Sequence, residues 1–230
     1  MFLKKQLLKL AGKDNFELDK NISMTYIIRL CRQYGWMAIR GWIISITHQS
    51  IDKNIFIGKK VKIYEKKSVI IGEKTKIHEY TKIDALSKNG VIIEDHVVIG
   101  KNTVIECTGS LSYIGKGLKI GARTTFGNDC FFGAAGGIDI GEDVVGGQYI
   151  RFHSENHKYR DLKTLIKDQG VTHKGIKIAN NCWIGSGAVF LDGAELGEGC
   201  IVAANAVVTK KFSKNIILGG VPAKKIGNRC

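Results

Sequence analysis

Two histidines near the middle of the chain, His153 and His157, stand four residues apart in the stretch RFHSENHKYRD. A neutral imidazole can take the proton of a hydroxyl group near neutral pH, so either histidine is a candidate general base. The same HxxxH spacing can also supply two ligands to a metal ion. A third ligand would have to be His78, His96 or His173, and no motif places any of these beside the pair.

The elements that must position these histidines follow a six-residue repeat. Between Ile178 and Thr209 an apolar residue returns at every sixth position: Ile178, Ile184, Phe190, Leu196, Val202 and Val208. This period fits neither a helix nor an open strand, and it predicts short strands that turn repeatedly and stack in register. Small residues follow four positions after most of them, which indicates a narrow interior: Cys182, Ala188, Ala194, Cys200 and Ala206.

The repeat extends towards the N-terminus, with one large interruption. The longest earlier run keeps its phase through Ile114, Ile120, Phe126, Phe132, Ile138, Val144 and Ile150. The 25 residues from 151 to 175 cannot be fitted to the repeat, and they contain both histidines. We expect this segment to protrude from one turn of the repeat as a loop, where functional residues often lie.

The pattern resembles that of the hexapeptide-repeat acyltransferases, whose fold is a left-handed parallel β-helix. In that family three repeats make one triangular coil, which implies roughly seven coils here. We therefore expect a mainly β chain in two parts, an N-terminal helical arm at residues 1–50 and a β-helix domain at 51–230. The domain would carry one protruding loop at 151–175 and a C-terminal cap at 210–230.

The resemblance also suggests roles in catalysis. His157 lies seventeen residues after Ile140 of the IGED corner, and in sugar O-acetyltransferases of this family the histidine at that offset is the catalytic base. Glu155, Asp161 or a backbone carbonyl could orient its ring. His153 is interpreted as structural. Asn128, in FGND, resembles within one residue of alignment an asparagine that contacts the acceptor sugar.

A second set of motifs resembles the coenzyme A site of the family. The stretch NCWIGS implies that Trp183 packs beside the pantetheine arm and that the backbone amide at Ser186 faces the thioester. Ala204 corresponds to a residue whose backbone binds pantetheine. The segments VTK and GVPAK end at Lys210 and Lys224, and lysine suits the phosphates of coenzyme A.

These features together predict an acetyl-CoA-dependent O-acetyltransferase that needs no metal. The acceptor would be a sugar hydroxyl of a capsule or lipopolysaccharide glycan or of its precursor. Members of the family are homotrimers with each site between two subunits, and the same is expected here. Two alternatives remain: an N-acetyltransferase acting on an amino-sugar nucleotide, and a metal-binding hexapeptide protein similar to the γ-class carbonic anhydrases.

The composition is strongly basic, with a formal net charge of +14. Such a charge predicts an anionic partner, which could be a phosphorylated cofactor, an acidic glycan or an anionic membrane face. Nucleic acid is not expected, because the lysines are dispersed and no nucleic-acid-binding module is present. The six cysteines form no CxxC pair. Cys130, Cys182 and Cys200 occupy small inward positions and are interpreted as reduced thiols of a cytoplasmic protein, with a Cys182–Cys200 disulfide as the alternative.

The first residues, MFLKKQLLKLAG, lack the long apolar region and the cleavage site of a signal peptide, which also favours a cytoplasmic location. The segment Met24–Thr47 carries apolar residues at helical spacing, but its arginines make it too charged to span a bilayer. Two interpretations remain. The arginines beside Trp36 and Trp42 could lie at the inner face of a membrane, or the helix could pack on the β-helix or on a neighbouring subunit.

Overall fold

The structure, a computed structural model, describes residues 19–229. The N-terminal residues discussed above as a rejected signal peptide therefore lie outside the described part of the chain. The first element is helix α1, Met24–Thr47, which is capped by Ser23, whose Oγ accepts a hydrogen bond of 3.3 Å from the Tyr26 amide. After α1 the chain forms short strands that wind into seven three-stranded coils.

The strands of the coils follow one another in chain order. Coil 1 contains β1 (Phe56–Ile57), β2 (Lys62–Tyr64) and β3 (Val69–Ile71), and coil 2 contains β4 (Lys76–Ile77), β5 (Lys82–Asp84) and β6 (Val91–Ile93). Coil 3 contains β7 (Val98–Ile99), β8 (Val104–Glu106) and β9 (Leu118–Ile120), and coil 4 contains β10 (Thr125–Phe126), β11 (Phe131–Gly133) and β12 (Ile138–Ile140).

Coil 5 contains the large excursion. It consists of β13 (Val145–Gly146) and β14 (Arg151–His153), then the loop strands β15 (Asn156–His157) and β16 (Val171–Thr172), then β17 (Ile176–Ile178). Coil 6 contains β18 (Trp183–Ile184), β19 (Val189–Leu191) and β20 (Glu195–Leu196), and coil 7 contains β21 (Ile201–Val202), β22 (Val207–Val208) and β23 (Lys211–Phe212). An antiparallel hairpin of β24 (Ile216–Gly219) and β25 (Lys224–Asn228) follows.

Each strand of a coil pairs in parallel with its equivalents one coil away, which produces three sheets around a triangular prism. The first, second and third strands of the coils form the first, second and third sheets. We call the corner between the first and second sheets the first edge, and the corner between the second and third sheets the second edge. The left-handed parallel β-helix and the seven coils expected from the repeat are confirmed.

The interior of the prism is filled by the residues that the six-residue repeat predicted to point inward. The apolar set from Ile178 to Val208 is at most 3% exposed, and the small residues between them are at most 2% exposed. Phe132, Phe152 and Phe190 stack in successive coils, with ring centroids 5.0 and 4.9 Å apart. One member of the earlier run was assigned wrongly: Ile114 is 43% exposed, because the chain leaves the second edge between β8 and β9 as a loop.

Helix α1 packs on coil 1 through one face. Met37 is 1% exposed, and a side chain at position 41 would collide with the Ile55 carbonyl, so Gly41 permits the close approach of helix and coil. Across residues 19–229, no helix is both long enough and apolar enough to cross a membrane.

Candidate functional site

The excursion from coil 5 is an antiparallel ribbon. Residues 151–153 still belong to the coil as β14, so the protruding part begins at Ser154 on the second edge. In the ribbon Asn156 pairs with Thr172 and His157 pairs with Val171. Since alternate residues of a strand share a face, Glu155 and His157 are expected on one side, together with Val171 and His173.

Two buried polar side chains anchor the ribbon to the coils. The Ser154 hydroxyl is completely buried, donates to the Gly133 carbonyl at 2.7 Å and accepts from the Gly136 amide at 2.9 Å. Asp192 of coil 6 accepts from the Thr172 hydroxyl at 2.7 Å and from the Gly175 amide at 2.8 Å. Sequence reasoning missed Asp192, because no repeat or motif links it to a loop twenty residues earlier.

His157 lies on the ribbon with an exposed side chain. It lines a cleft of about 710 Å³ together with Arg160, Asp168, Thr172 and Lys174. Within residues 19–229, no group forms a hydrogen bond or an ion pair with its imidazole. A histidine in this position could therefore exchange a proton with a molecule in the cleft.

His153 is in a different environment from His157. It ends β14 on the body of the coil, where its ring lies 5.4 Å from the ring of Phe131. Burial, and secondarily the Arg151 guanidinium, lower the pKa of His153. The HxxxH pair is thus divided between the coil and the ribbon. Among the described residues, no group of three histidine, cysteine, aspartate or glutamate side chains is placed to hold a metal ion.

The two carboxylates suggested as partners of His157 are bonded elsewhere. Glu155 accepts a hydrogen bond of 3.0 Å from His173 Nε2. The His173 ring also stacks on Tyr113, with centroids 4.4 Å apart, and so ties the ribbon to the loop of coil 3. Asp161 accepts from the Thr164 hydroxyl at 2.7 Å, and this bond lowers its pKa. The sequence pattern suggested His173 only as a possible metal ligand, and it did not indicate the contact of His173 with Glu155 or with Tyr113.

The residues proposed to hold the pantetheine arm lie on or beside the first edge. Trp183 is 57% exposed on the outer face of the first sheet, between Val145 and Ile201 of the adjacent coils. Ser186 follows it at the corner, and its Oγ accepts from the Gln148 amide at 3.2 Å. The Ser186 amide itself donates to no group within the described residues, and it could therefore donate to a ligand.

The next coil continues this edge. Ala204 is exposed at the corner after β21. Gly185 faces its backbone so closely that a Cβ would lie 2.5 Å from the Ala204 nitrogen, so the corner tolerates only glycine there. Asn128 lies on the same edge in coil 4. Its Oδ1 accepts from the Lys101 amide at 2.9 Å, which leaves its amide nitrogen as the group that could contact an acceptor.

The two lysines proposed to bind the phosphates of coenzyme A lie on different parts of the prism. Lys224 begins β25 opposite Gly219, on the first sheet. Lys210 lies on the second edge between β22 and β23, with its ammonium group 5.6 Å from the centre of the Phe212 ring. Within one chain, the second edge therefore carries Lys210 and the loop with His157, whereas the first edge carries Ser186 and Ala204. The second sheet, about 10 Å wide at three residues a strand, separates them.

Comparison with known proteins agrees with this architecture. Residues 175–210 match the family model described as bacterial transferase hexapeptide (six repeats), and residues 90–110 match the hexapeptide repeat of succinyl-transferase. The chain is 30% identical over 129 residues to a probable acetyltransferase of Mycobacterium tuberculosis, Rv3034c, covering 56% of this chain and 41% of that protein. It is 26% identical over 144 residues to the galactoside O-acetyltransferase of Escherichia coli, covering 60% of this chain and 67% of that protein.

A further relative is a putative acetyltransferase of Schizosaccharomyces pombe, 34% identical over 99 residues, which are 43% of this chain and 46% of that protein. The chain therefore spans less than half the length of this protein and of Rv3034c. Among solved structures, the chain is similar to AntD, an N-acyltransferase from Bacillus cereus in complex with dTDP and 3-hydroxybutyryl-CoA. The TM-score is 0.53 at 18% identity, with 82% of this chain and 87% of AntD covered. At this identity the likeness shows the shared fold.

Proposed function

We propose that this chain, which matches hexapeptide-repeat transferase models at residues 175–210 and 90–110, moves the acetyl group of acetyl-CoA to a hydroxyl of a sugar. The observation that carries this proposal is the position of His157, an exposed histidine on a ribbon that lines a cleft, with no partner for its imidazole in the described residues. The acetyltransferase names of the relatives similar in sequence support the same reaction class.

In the proposed reaction His157 is the general base. Its imidazole takes the proton of the sugar hydroxyl while the oxygen attacks the acetyl carbonyl. The backbone amide at Ser186 stabilises the tetrahedral oxyanion. The carbon–sulfur bond then breaks, and the thiolate of coenzyme A takes the proton from the imidazolium ion. The transfer needs neither a metal ion nor an acyl-enzyme intermediate. Ser154, the nearest serine in sequence, is buried, and its hydroxyl both donates and accepts a hydrogen bond.

Coenzyme A is proposed to lie along the first edge. Trp183 would pack against the pantetheine arm, the backbone at Ala204 would bind its amides, and Lys224 would neutralise the phosphates. Lys210 lies on the other edge, so it could reach the same coenzyme A molecule only from a neighbouring subunit. The separation of the two edges supports a homotrimer in which one subunit supplies His157 and its neighbour supplies Ser186.

The cleft also bears on the class of acceptor. Lys158, Arg160 and Lys174 line it, together with the carboxylates Asp161 and Asp168, of which Asp161 is occupied by Thr164. Three cations against two carboxylates leave one excess positive charge, which favours an acceptor that carries negative charge, such as an acidic capsule or lipopolysaccharide glycan or a sugar nucleotide. The predicted cytoplasmic location fits a precursor of such material.

The same base could also deprotonate an amine, so transfer to the nitrogen of an amino-sugar nucleotide is the second candidate. The test is to incubate the protein with labelled acetyl-CoA and acidic glycans or sugar nucleotides, and to locate the label by mass spectrometry. We expect an ester, which mild alkali removes. Alkali-stable label would establish N-acetylation instead. No transfer to any acceptor, with stoichiometric zinc in the purified protein, would favour the carbonic-anhydrase-like alternative.

A further inference from the structure

One face of α1 is apolar and uncovered. Six large apolar side chains on it are between 48% and 59% exposed: Ile28, Trp36, Ile39, Trp42, Ile43 and Ile46. At 3.6 residues a turn they all project to one side of the helix and form one apolar stripe. An exposed apolar patch of this kind on a soluble domain indicates an interaction surface.

This stripe is separate from the surface that holds the helix to the β-helix. The buried residues of α1 are Ile27, Met37, Gly41 and Ser45, and they lie on the opposite side of the helix. The packing of α1 on coil 1 is therefore complete without the exposed stripe. Within the described residues, nothing covers the stripe.

The charges on α1 have one sign. The helix contains Arg29, Arg32 and Arg40 and no aspartate or glutamate, and none of the three arginines forms an ion pair within residues 19–229. Residues 50–68, which follow the helix and include β1 and β2 of coil 1, add six lysines against Asp52 and Glu65. An apolar face beside such a charge is complementary to a surface that is apolar inside and anionic outside.

We infer that α1 lies in the headgroup region of an anionic lipid bilayer, parallel to the surface. The isoleucines enter the boundary of the acyl chains, and Trp36 and Trp42 lie at the level of the headgroups, where indole rings are favoured. The arginines and the lysines of coil 1 bind lipid phosphates. The inference does not depend on the chemistry proposed for the coil 5 loop.

The position of Arg32 favours lipid over a second copy of the chain. At 100° per residue, Arg32 projects to the same side of α1 as the apolar stripe, and along the helix it lies between Ile28 and Trp36. At a symmetric contact between two copies this guanidinium would be buried in an apolar interface near its own equivalent, which is costly. In a bilayer the long side chain can extend to the phosphates while its methylene groups remain among the apolar residues.

Sedimentation of the full-length protein with vesicles tests the inference. We expect binding to vesicles that contain phosphatidylglycerol, weakening as salt rises, and little binding to pure phosphatidylcholine. The double variant Trp36→Ser/Trp42→Ser should bind on the order of a hundredfold more weakly, because two exposed indole rings no longer enter the lipid. The matched control Leu111→Ser/Leu162→Ser removes exposed apolar side chains from loops and should bind like the parent.

Fluorescence gives a second readout. The chain has three tryptophans, so Trp183→Phe leaves only Trp36 and Trp42, and their emission should shift to shorter wavelength on anionic vesicles. Absence of both sedimentation and this shift would overturn the inference, as would unchanged binding of the double variant. If the parent does not bind vesicles, and the double variant forms a smaller assembly in solution than the parent does, the stripe binds a second copy of the chain instead.

Discussion

The two histidines near the loop, His153 and His157, differ in their surroundings and therefore in the roles that they can have. His157 extends from the ribbon into a cleft, and its imidazole makes no hydrogen bond or ion pair within the described residues, whereas His153 lies against Phe131 beside Arg151. A general base must be reachable by the substrate and must gain and release a proton without disrupting a structural contact. His157 meets both conditions in this structure.

We predict that His157→Ala lowers kcat by about two to four orders of magnitude, the usual contribution of a general base. The affinity for coenzyme A should barely change, because the proposed cofactor contacts lie on the first edge. Acetyl transfer assays and measurements of coenzyme A binding check the two effects.

His153→Ala is the matched control and should retain most of the activity. If His153→Ala were inactive while His157→Ala remained active, and both variants were folded, the assignment of the base would be wrong. Circular dichroism and the molecular mass in solution would establish that both variants are intact.

Buried thiols provide a prediction about pH. Burial raises the pKa of Cys130 and of Cys182 to about 11. Unfolded thiols ionise near pH 8.5, so the contribution of these groups to folding is complete below that pH and is lost as pH rises towards 11. At about pH 10 the loss approaches roughly 2 kcal/mol per thiol.

The control is the variant Cys130→Ala/Cys182→Ala, because the repeat already accepts alanine at the equivalent positions Ala188 and Ala206. Urea midpoints measured at about pH 8 and pH 10 should fall less in this variant than in the parent. Lysines and tyrosines titrate equally in both proteins, so an identical fall would show that the thiols do not contribute.

At the scale of elements, the ribbon is positioned by contacts at its base and along its side. Ser154 and Asp192 attach it to the coils, and the pair of Glu155 with His173, stacked on Tyr113, attaches it to the loop of coil 3. These contacts are all near the second edge. They are expected to keep His157 at a constant distance from a bound acceptor.

We predict that Asp192→Ala loosens the ribbon, because it removes the acceptor of the Thr172 hydroxyl and the Gly175 amide. The cost should be about 1–3 kcal/mol of unfolding free energy, typical of leaving buried donors unpaired. The value of kcat should fall without a matching loss of coenzyme A affinity. Hydrogen exchange of residues 154–175 should quicken relative to the coils.

Asp192→Asn is the conservative comparison, since its amide oxygen can still accept from Gly175 while its nitrogen donates to the Thr172 hydroxyl. It should restore most of the activity and of the exchange protection. Equal defects in the alanine and asparagine variants would indicate a role for the negative charge itself.

At the scale of the whole molecule, the proposed site is divided between two edges of one prism. Ser186 and Ala204 lie on the first edge, and the loop with His157 leaves the second. A second subunit that places its first edge against this loop would bring the two groups together. Whether the site forms between two subunits can be tested by mixing variant subunits.

We predict that mixing two inactive variants restores activity. When His157→Ala and Trp183→Ala subunits are unfolded together and refolded as mixed assemblies, some sites will combine an intact His157 with an intact Trp183 from different subunits. The two variants refolded separately and then combined serve as the control. No recovery in the mixed assemblies would indicate that each site lies within one chain.

The coils could be predicted from the sequence alone, because every coil requires an apolar or a small residue at the same inward-facing positions. Residues such as Ile184 and Ala188 face the interior of a prism whose cross-section repeats, so a local rule predicts their burial. It also predicted that His157 lies in a protruding loop. The contacts that hold this loop could not be predicted, because the contact of His173 with Tyr113 joins residues sixty positions apart on segments that have no repeat. The separation of the proposed site residues over two edges likewise follows from the closure of the prism, which no short stretch of residues encodes.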